Sequence, residues 1–184
     1  MRKYLSIVAL LVMVSVFLTA CGLSEAETKY NSGTDKFNKK DIDGALADFN
    51  EAIRLDPNLA VAYMNRGAVY LSKGDYDKGI EDSTKALDLK LSRTEDQATA
   101  YSNRGAAYAA KGDHAKALAD AEEAIKIKSD HASGYLVRGL AKAQMTPQDK
   151  DGAIADLKKV IELSKDSSEG QAAQQLLTQL EAAP

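Results

Sequence analysis

Four glycines at a nearly constant spacing constrain this chain more than any other feature. Gly33, Gly67, Gly105 and Gly139 are separated by 34, 38 and 34 residues. The segments around the last three align as YMNRGAVY at 63–70, YSNRGAAY at 101–108 and YLVRGLAK at 135–142, and a weaker copy, YNSGTDKF, surrounds Gly33. A period in this range means that small supersecondary units are stacked along the chain. Each is too small to bury its own apolar face and depends on its neighbours.

The content of the unit follows from what comes after each glycine. A turn such as Lys73-Gly74-Asp75 or Lys111-Gly112-Asp113 leads into a second run, and the four runs read GALADFNEAIRL, KGIEDSTKALDL, KALADAEEAIKI and GAIADLKKVIEL. Apolar residues recur three or four apart, as in Ala45, Phe49, Ala52 and Ile53, which is helical spacing and not strand alternation. Each unit is therefore helix, turn, helix. Composition narrows the function classes. Of the 184 residues, 45% are hydrophobic, there is one Cys, two His and no Trp, and the formal charge is −3. That excludes an internal disulfide framework, leaves too few soft ligands for a structural zinc site, and offers no basic surface for nucleic acid. No cofactor or metal is expected.

The pattern resembles the tetratricopeptide repeat family, whose unit carries an aromatic, a Gly and a Tyr on the first helix and Ala, an aromatic and Ala on the second. Repeat two matches at Tyr63, Gly67, Tyr70, Gly74, Tyr76 and Ala86, and repeat three at Tyr101, Gly105, Tyr108, Gly112, Ala117 and Ala124. Repeat one matches at Gly33, Ala45, Phe49, Ala52 and Pro57, and repeat four at Tyr135, Gly139, Ala153 and Leu157. The resemblance implies an all-α, right-handed α-solenoid of about four repeats, 26–59, 60–97, 98–131 and 132–167, followed by a capping helix and tail at 168–184. In the cap, Ala173, Leu176, Leu177 and Leu180 form an apolar face, while Gln171, Gln174, Gln175 and Gln179 lie mainly elsewhere. Two insertions depart from the pattern, one at 91–97 and one around Thr146-Pro147-Gln148, and both are expected in loops. Ser92 with Glu95, or Thr94 alone, is the expected cap of the helix after the first insertion. The helix before the second is expected to end near Met145, because Pro disfavours helix in the residue before it.

Charges keep the same register. Arg66, Arg104 and Arg138 precede the repeat glycines, and Asp48, Asp82, Asp120 and Asp156 share one place on the second helices. Structural arginine–carboxylate pairs are expected, either within a repeat, which leaves Asp48 without a partner because Ser32 replaces Arg, or to the next repeat, which leaves Asp156 without one.

In this family the first helices line a concave groove. The resemblance places it on Tyr30, Thr34 and Phe37; on Val61, Met64, Asn65, Ala68 and Leu71; on Thr99, Ser102, Asn103, Ala106 and Ala109; and on Ser133, Leu136, Val137, Leu140 and Ala143. None of these is charged. Asn65 and Asn103 are expected to hydrogen-bond a peptide backbone, and Met64, Leu71, Leu136 and Leu140 to accept apolar side chains, which suits an extended segment or an amphipathic helix. Asn103 also matches one residue of the carboxylate clamp of cochaperone relatives. The cations of that clamp are absent, because its Lys and Arg positions fall on Ser133 and Val137, and the preceding repeat offers Met64 and Ala68. A carboxylate clamp is therefore not expected.

The first twenty residues read as an address. Arg2 and Lys3 precede a largely apolar stretch from Tyr4 to Leu18, the pattern of a secretory signal peptide. The segment ends Leu18-Thr19-Ala20-Cys21-Gly22, which resembles the lipobox of bacterial lipoproteins. That resemblance implies cleavage before Cys21, diacylglyceryl modification of its thiol and acylation, palmitate included, of the new amine. Acyl chains stabilise membrane attachment by about 0.8 kcal/mol per buried CH₂. Residues 21–25 form a short tether of at most about 3.5 Å per residue, so the array sits close to its leaflet. In the enterobacterial members of that family an Asp after the Cys favours inner-membrane retention, so Gly22 implies an outer-membrane, periplasm-facing location where the organism has an outer membrane. The expectation is thus a lipid-anchored scaffold or adaptor in the bacterial envelope, binding peptide or helical segments of another envelope protein during assembly of a pilus, secretin or cell-wall complex. The alternative is a substrate-capturing lipoprotein serving a transporter or enzyme. Catalysis is not expected: His114 and His131 sit at separate turns with no convergent nucleophile or metal set.

Overall fold

The computed structural model describes residues 23–145 and 147–182. The signal segment at 1–20 and Cys21 lie outside the described residues, as do Thr146 and the last two residues. Among the described residues there are nine helices and no strand. They are α1 (Glu25–Asn38), α2 (Ile42–Leu55), α3 (Ala60–Lys73), α4 (Tyr76–Asp88), α5 (Thr94–Ala110), α6 (His114–Ile127), α7 (Ala132–Gln144), α8 (Lys150–Ser164) and α9 (Ser168–Ala182). The first eight pair as four helical hairpins, as the glycine spacing predicts.

Local chemistry fixes where these helices begin and turn. Ser24 and Glu27 make a capping box that opens α1: the Glu27 amide donates to Ser24 Oγ at 3.1 Å and the Ser24 amide to Glu27 Oε2 at 2.7 Å. Asp41, Asp113 and Asp149 each accept a backbone amide three residues on, at 3.1, 3.2 and 2.9 Å, and start α2, α6 and α8. The hairpin turns of the middle repeats need the left-handed conformation, with φ of 78° at Gly74 and 80° at Gly112. Repeat one places Lys40 at the same point with φ of 63°.

Within each hairpin the recurrent glycines mark where the helices cross closely. A Cβ at Gly67 would stand 3.1 Å from Ser83 Oγ, and one at Gly105 would stand 3.2 Å from the Ala117 carbonyl oxygen. The buried clusters then bridge from one hairpin to the next. Ala45 and Phe49 of α2 meet Val69 of α3. Ala86 of α4 meets Met64 and Ala100 on α3 and α5, and Ala117 and Ala121 of α6 meet Val137 and Ala141 of α7. No hairpin buries its apolar stripe alone, which is why the chain reads as a stack.

The stack is closed by α9. Ala173 and Leu177 are buried against Leu157 and Val160 of α8, with Leu176 and Leu180 packed alongside. Gln171, Gln174, Gln175 and Gln179 are exposed, so the apolar and polar faces of α9 lie where the sequence places them. Its buried residues Gly170, Ala173 and Leu177 repeat the spacing of Gly134, Val137 and Ala141 on α7. This helix therefore packs in the manner of the first helix of a repeat, with its glutamines on the outer face.

The first insertion is a correction. It does not form a loop: α5 starts at Thr94, and the added residues give it an extra turn. Neither Ser92 nor Thr94 caps it. Arg93 occupies the N-cap without a side-chain hydrogen bond, and Gln97 Nε2 donates to the Leu91 carbonyl at 2.6 Å, securing the connection from inside the helix. At the second insertion α7 ends at Gln144, and Gln148 Nε2 donates to the Ala143 carbonyl at 2.8 Å, satisfying one of its free terminal carbonyls.

Candidate peptide-binding groove

The first helices of successive units lie side by side, α1 on α3, α3 on α5, α5 on α7 and α7 on α9, and this face carries the groove positions. Arginine–aspartate pairs hold each first helix against its second from behind. Arg66 donates from Nε and Nη2 to both oxygens of Asp82 at 2.7 Å, and Arg104 does the same to Asp120 at 2.9 and 2.7 Å. Arg138 meets Asp156 at 2.9 and 2.6 Å. Pairing is thus within the repeat. The hydrogen bonds to aspartate raise the pKa of all three guanidinium groups. Each guanidinium also lies over a tyrosine of its own helix, Tyr63, Tyr101 or Tyr135, at 5.3 to 5.4 Å from the ring centroid.

Asp48 is not left alone, contrary to what the missing arginine predicts. Ser32 Oγ donates to it at 2.6 Å, and Lys36, one turn further along α1, reaches it at 2.6 Å. Burial pushes this carboxyl up, but the bonds from Lys36 and Ser32 outweigh it and leave the pKa lowered. Lys142 holds the equivalent place on α7 and joins Arg138 at Asp156, 3.0 Å away.

The groove set predicted from sequence divides in two. Met64, 5% exposed, and Ser102, 3% exposed, face the core. Met64 packs with Ala86, Leu91 and Ala100, so it cannot receive a ligand side chain. Val137 is 4% exposed and sits in the next cluster. Physically, the helices are packed closely enough that only about one residue per turn stays on the open face, as Asn65, Ala68 and Leu71 do on α3. Asn65, Ala68, Leu71, Asn103, Ala106, Leu136 and Leu140 remain partly exposed there.

The two asparagines differ. Asn65 Nδ2 donates to Thr34 Oγ1 at 3.2 Å and to the Tyr30 hydroxyl at 3.4 Å, so it links α3 to α1. Asn103 Nδ2 is sealed from solvent and has no hydrogen-bond partner among the described residues. The reason is legible: the positions on α3 equivalent to Tyr30 and Thr34 are Met64 and Ala68, which carry no oxygen. A buried donor without an acceptor costs about 1 to 3 kcal/mol.

The histidines do not converge. His131 is 7% exposed, with Nδ1 3.5 Å from Glu95 Oε1. Burial pushes its pKa down, with Glu95 and Glu169 opposing. His114 lies at the α5–α6 turn, beside an open cleft with Lys111 and Met145.

Comparison with known proteins decides the family. The tetratricopeptide repeat family matches residues 58–130 and a second TPR repeat family matches 33–74, so that together they cover 33–130. The chain is a tetratricopeptide repeat protein. A thermophilic tetratricopeptide repeat protein of Thermus thermophilus superposes with a TM-score of 0.70 at 22% identity, over 84% of this chain and 80% of that one. The first such domain of Spaghetti, solved with the HSP90 peptide SRMEEVD, superposes with a TM-score of 0.55 at 25% identity, over 66% and 90%. Among curated proteins, the heat shock protein sti1 homolog of Schizosaccharomyces pombe is 40% identical over 65 residues, 35% of this chain and 11% of that protein. Human serine/threonine-protein phosphatase 5 is 34% identical over 67 residues, 36% of this chain and 13% of the enzyme. The similarity therefore extends to a small part of each relative. The repeat array is a protein-interaction scaffold, and the comparison with the acidic HSP90 peptide sharpens the character of this one: its groove positions carry no cation.

One part of the groove escapes the sequence reading. Leu176 and Leu180 of the cap stand beside Leu140 and Ala143 of α7 and wall a cleft of about 230 Å³. The signal was available in the 36-residue offset between the apolar positions of α7 and α9, which marks α9 as a groove helix.

Proposed function

We propose that this tetratricopeptide repeat protein is a lipid-anchored adaptor of the bacterial envelope, held at the membrane through Cys21 and binding a segment of another envelope protein along its groove. The observation that carries the binding half is the open face of the first helices, where Asn65, Ala68, Leu71, Asn103, Ala106, Leu136 and Leu140 stay partly exposed and uncharged side by side. The anchoring half rests on the lipobox-like Leu18-Thr19-Ala20-Cys21 sequence. Among the described residues no helix is long and apolar enough to cross a membrane. A pilus, secretin or cell-wall assembly is the expected setting, and the outer membrane the expected site.

The test uses the full-length protein in its native membranes, with a photo-crosslinking residue at Ala106 in the groove or at exposed Ala119 on α6. A defined protein adduct from Ala106 and none from Ala119 is expected, and Cys21→Ser is expected to abolish fatty-acid labelling and release the protein from the membrane. Only monomer from both positions, together with a thermal stabilisation by a purified metabolite, overturns the adaptor in favour of substrate capture.

A further inference from the structure

Successive repeats are not joined to one another in the same way. Along the edge that carries the hairpin turns, the end of α3 reaches back to the first turn of α2, where Lys73 Nζ donates to Asp43 Oδ1 at 2.8 Å. One repeat on, Lys111 reaches Asp77 in the same register. The third junction has Met145 and Ala115 at those two places, which cannot form the pair, and an open cleft of about 490 Å³ lies beside them. The opposite edge of that junction holds a contact of another kind. The added turn of α5 carries Glu95, which lies 3.5 Å from Nδ1 of His131, the N-cap residue of α7, and 3.2 Å from Lys128 Nζ at the end of α6.

The charged groups around the His131 ring come from three sides: Glu95 from α5, Lys128 and Asp130 from the α6–α7 connection, and Glu169 from α9, where Ser133 Oγ donates to its carboxylate. His131 is buried, and its Nε2 is sealed without a hydrogen-bond partner among the described residues. A neutral ring suits this place, since one nitrogen can direct its proton towards Glu95 and the other needs none. A protonated ring carries N–H on both nitrogens, so a charged donor would face a sealed space with nothing to accept it. Burial accordingly holds the imidazole pKa below its ordinary value of 6.5, with Glu95 and Glu169 opposing and Lys128 reinforcing. The folded chain therefore takes up this proton less readily than the unfolded chain. Stability from the site is intact above pH 6.5 and is lost as the pH falls from there through the lower, folded value. We infer that the junction between repeats three and four is a pH-responsive hinge with His131 as its sensor: on protonation α7 parts from the added turn of α5, while the two earlier junctions stay closed. The hinge requires no ligand in the groove.

The experiment is hydrogen exchange read by mass spectrometry on the full-length chain in detergent micelles, at a series of values from about pH 7.5 down to about pH 5, a range that brackets the ordinary histidine pKa. Each rate is divided by the chemical exchange rate at that pH. Towards the acid end, residues 94–100 of α5 and the first turn of α7 are expected to lose protection about threefold to tenfold, tenfold being the effect of one pKa unit between the two states. Helices α1 to α4 are expected to keep theirs. His131→Leu is expected to abolish the acid response; Leu59, the N-cap residue of α3, holds the same register in repeat two, so an apolar side chain suits the position. Because a change at a buried place can itself loosen the junction, Glu95→Gln gives a second measurement at a half-exposed position. Without the opposing carboxylate the imidazole pKa falls further, and the response is expected to move to lower pH. His114→Asn, at the turn edge, is expected to leave the response as it is. The hinge is overturned by a wild-type chain that shows no acid response or one spread evenly over all helices. It is equally overturned by a response that survives in His131→Leu, vanishes in His114→Asn or stays at the same pH in Glu95→Gln.

Discussion

Arg104 shows how far single residues could be read in advance. The shared register of Arg66, Arg104 and Arg138 with Asp82, Asp120 and Asp156 was visible as a spacing, and the structure turns it into three two-pronged pairs. Two details were not legible. Asp48 finds Lys36 from the next turn of α1, a contact that depends on the rotation of one helix against another. Asn65 and Asn103, identical by position, are separated by what the preceding helix presents to each. The pairs define a prediction. Arg104 and Asp120 are both largely buried, so Arg104→Met should leave an uncompensated carboxylate and cost about 3 to 5 kcal/mol in urea denaturation. Adding Asp120→Leu should recover most of that loss. If Arg104→Met leaves stability unchanged and instead abolishes partner binding, the arginine belongs to the ligand and not to the fold.

At the level of elements, glycine punctuation and helical periodicity placed eight helices as four hairpins, and the apolar stripe of 173–180 placed the ninth. The failure at 91–97 has a clear cause. Aligning repeats assigns extra residues to a gap, but Thr94, Glu95, Asp96 and Gln97 are compatible with helix and simply lengthen α5 at its N-terminus. Repeat turns carry a second lesson. The amide just after the left-handed residue bonds the carbonyl five residues back in all three, Asp41 to Lys36, Asp75 to Tyr70 and Asp113 to Tyr108, each at 2.9 Å. The geometry is the same, yet repeat one builds it with Lys40 at φ of 63°. A side chain in that conformation costs about 1 to 2 kcal/mol, and glycine gives back part of the gain through its freer unfolded chain. Lys40→Gly should therefore raise stability by about 0.5 to 1 kcal/mol, read as a higher urea midpoint with an unchanged slope. A fall in the midpoint would show that the Lys40 side chain stabilises the turn in some other way.

For the whole molecule, the stack makes stability a matter of neighbours, and its two ends are unlike. At the start, α1 turns Glu25, Glu27, Thr28 and Asn31 to solvent and is locked by its own capping box. At the finish, α8 has no such surface: Leu157 and Val160 are covered by α9 on one side and by Tyr135 and Leu136 of α7 on the other. Gly170 permits the approach, since a Cβ there would run into the Ser164 carbonyl. Ending the chain after Ser167 would uncover the α9-facing side of both residues, a loss of about 2 to 4 kcal/mol, less than full exposure of two large apolar side chains would cost. In a one-dimensional array that loss is local before it is global. Hydrogen exchange should show α7 and α8 losing protection while α1 to α4 keep theirs, and Gly170→Val should reproduce a weaker form of the same pattern. Equal loss of protection across all helices would mean that the array unfolds as one cooperative body.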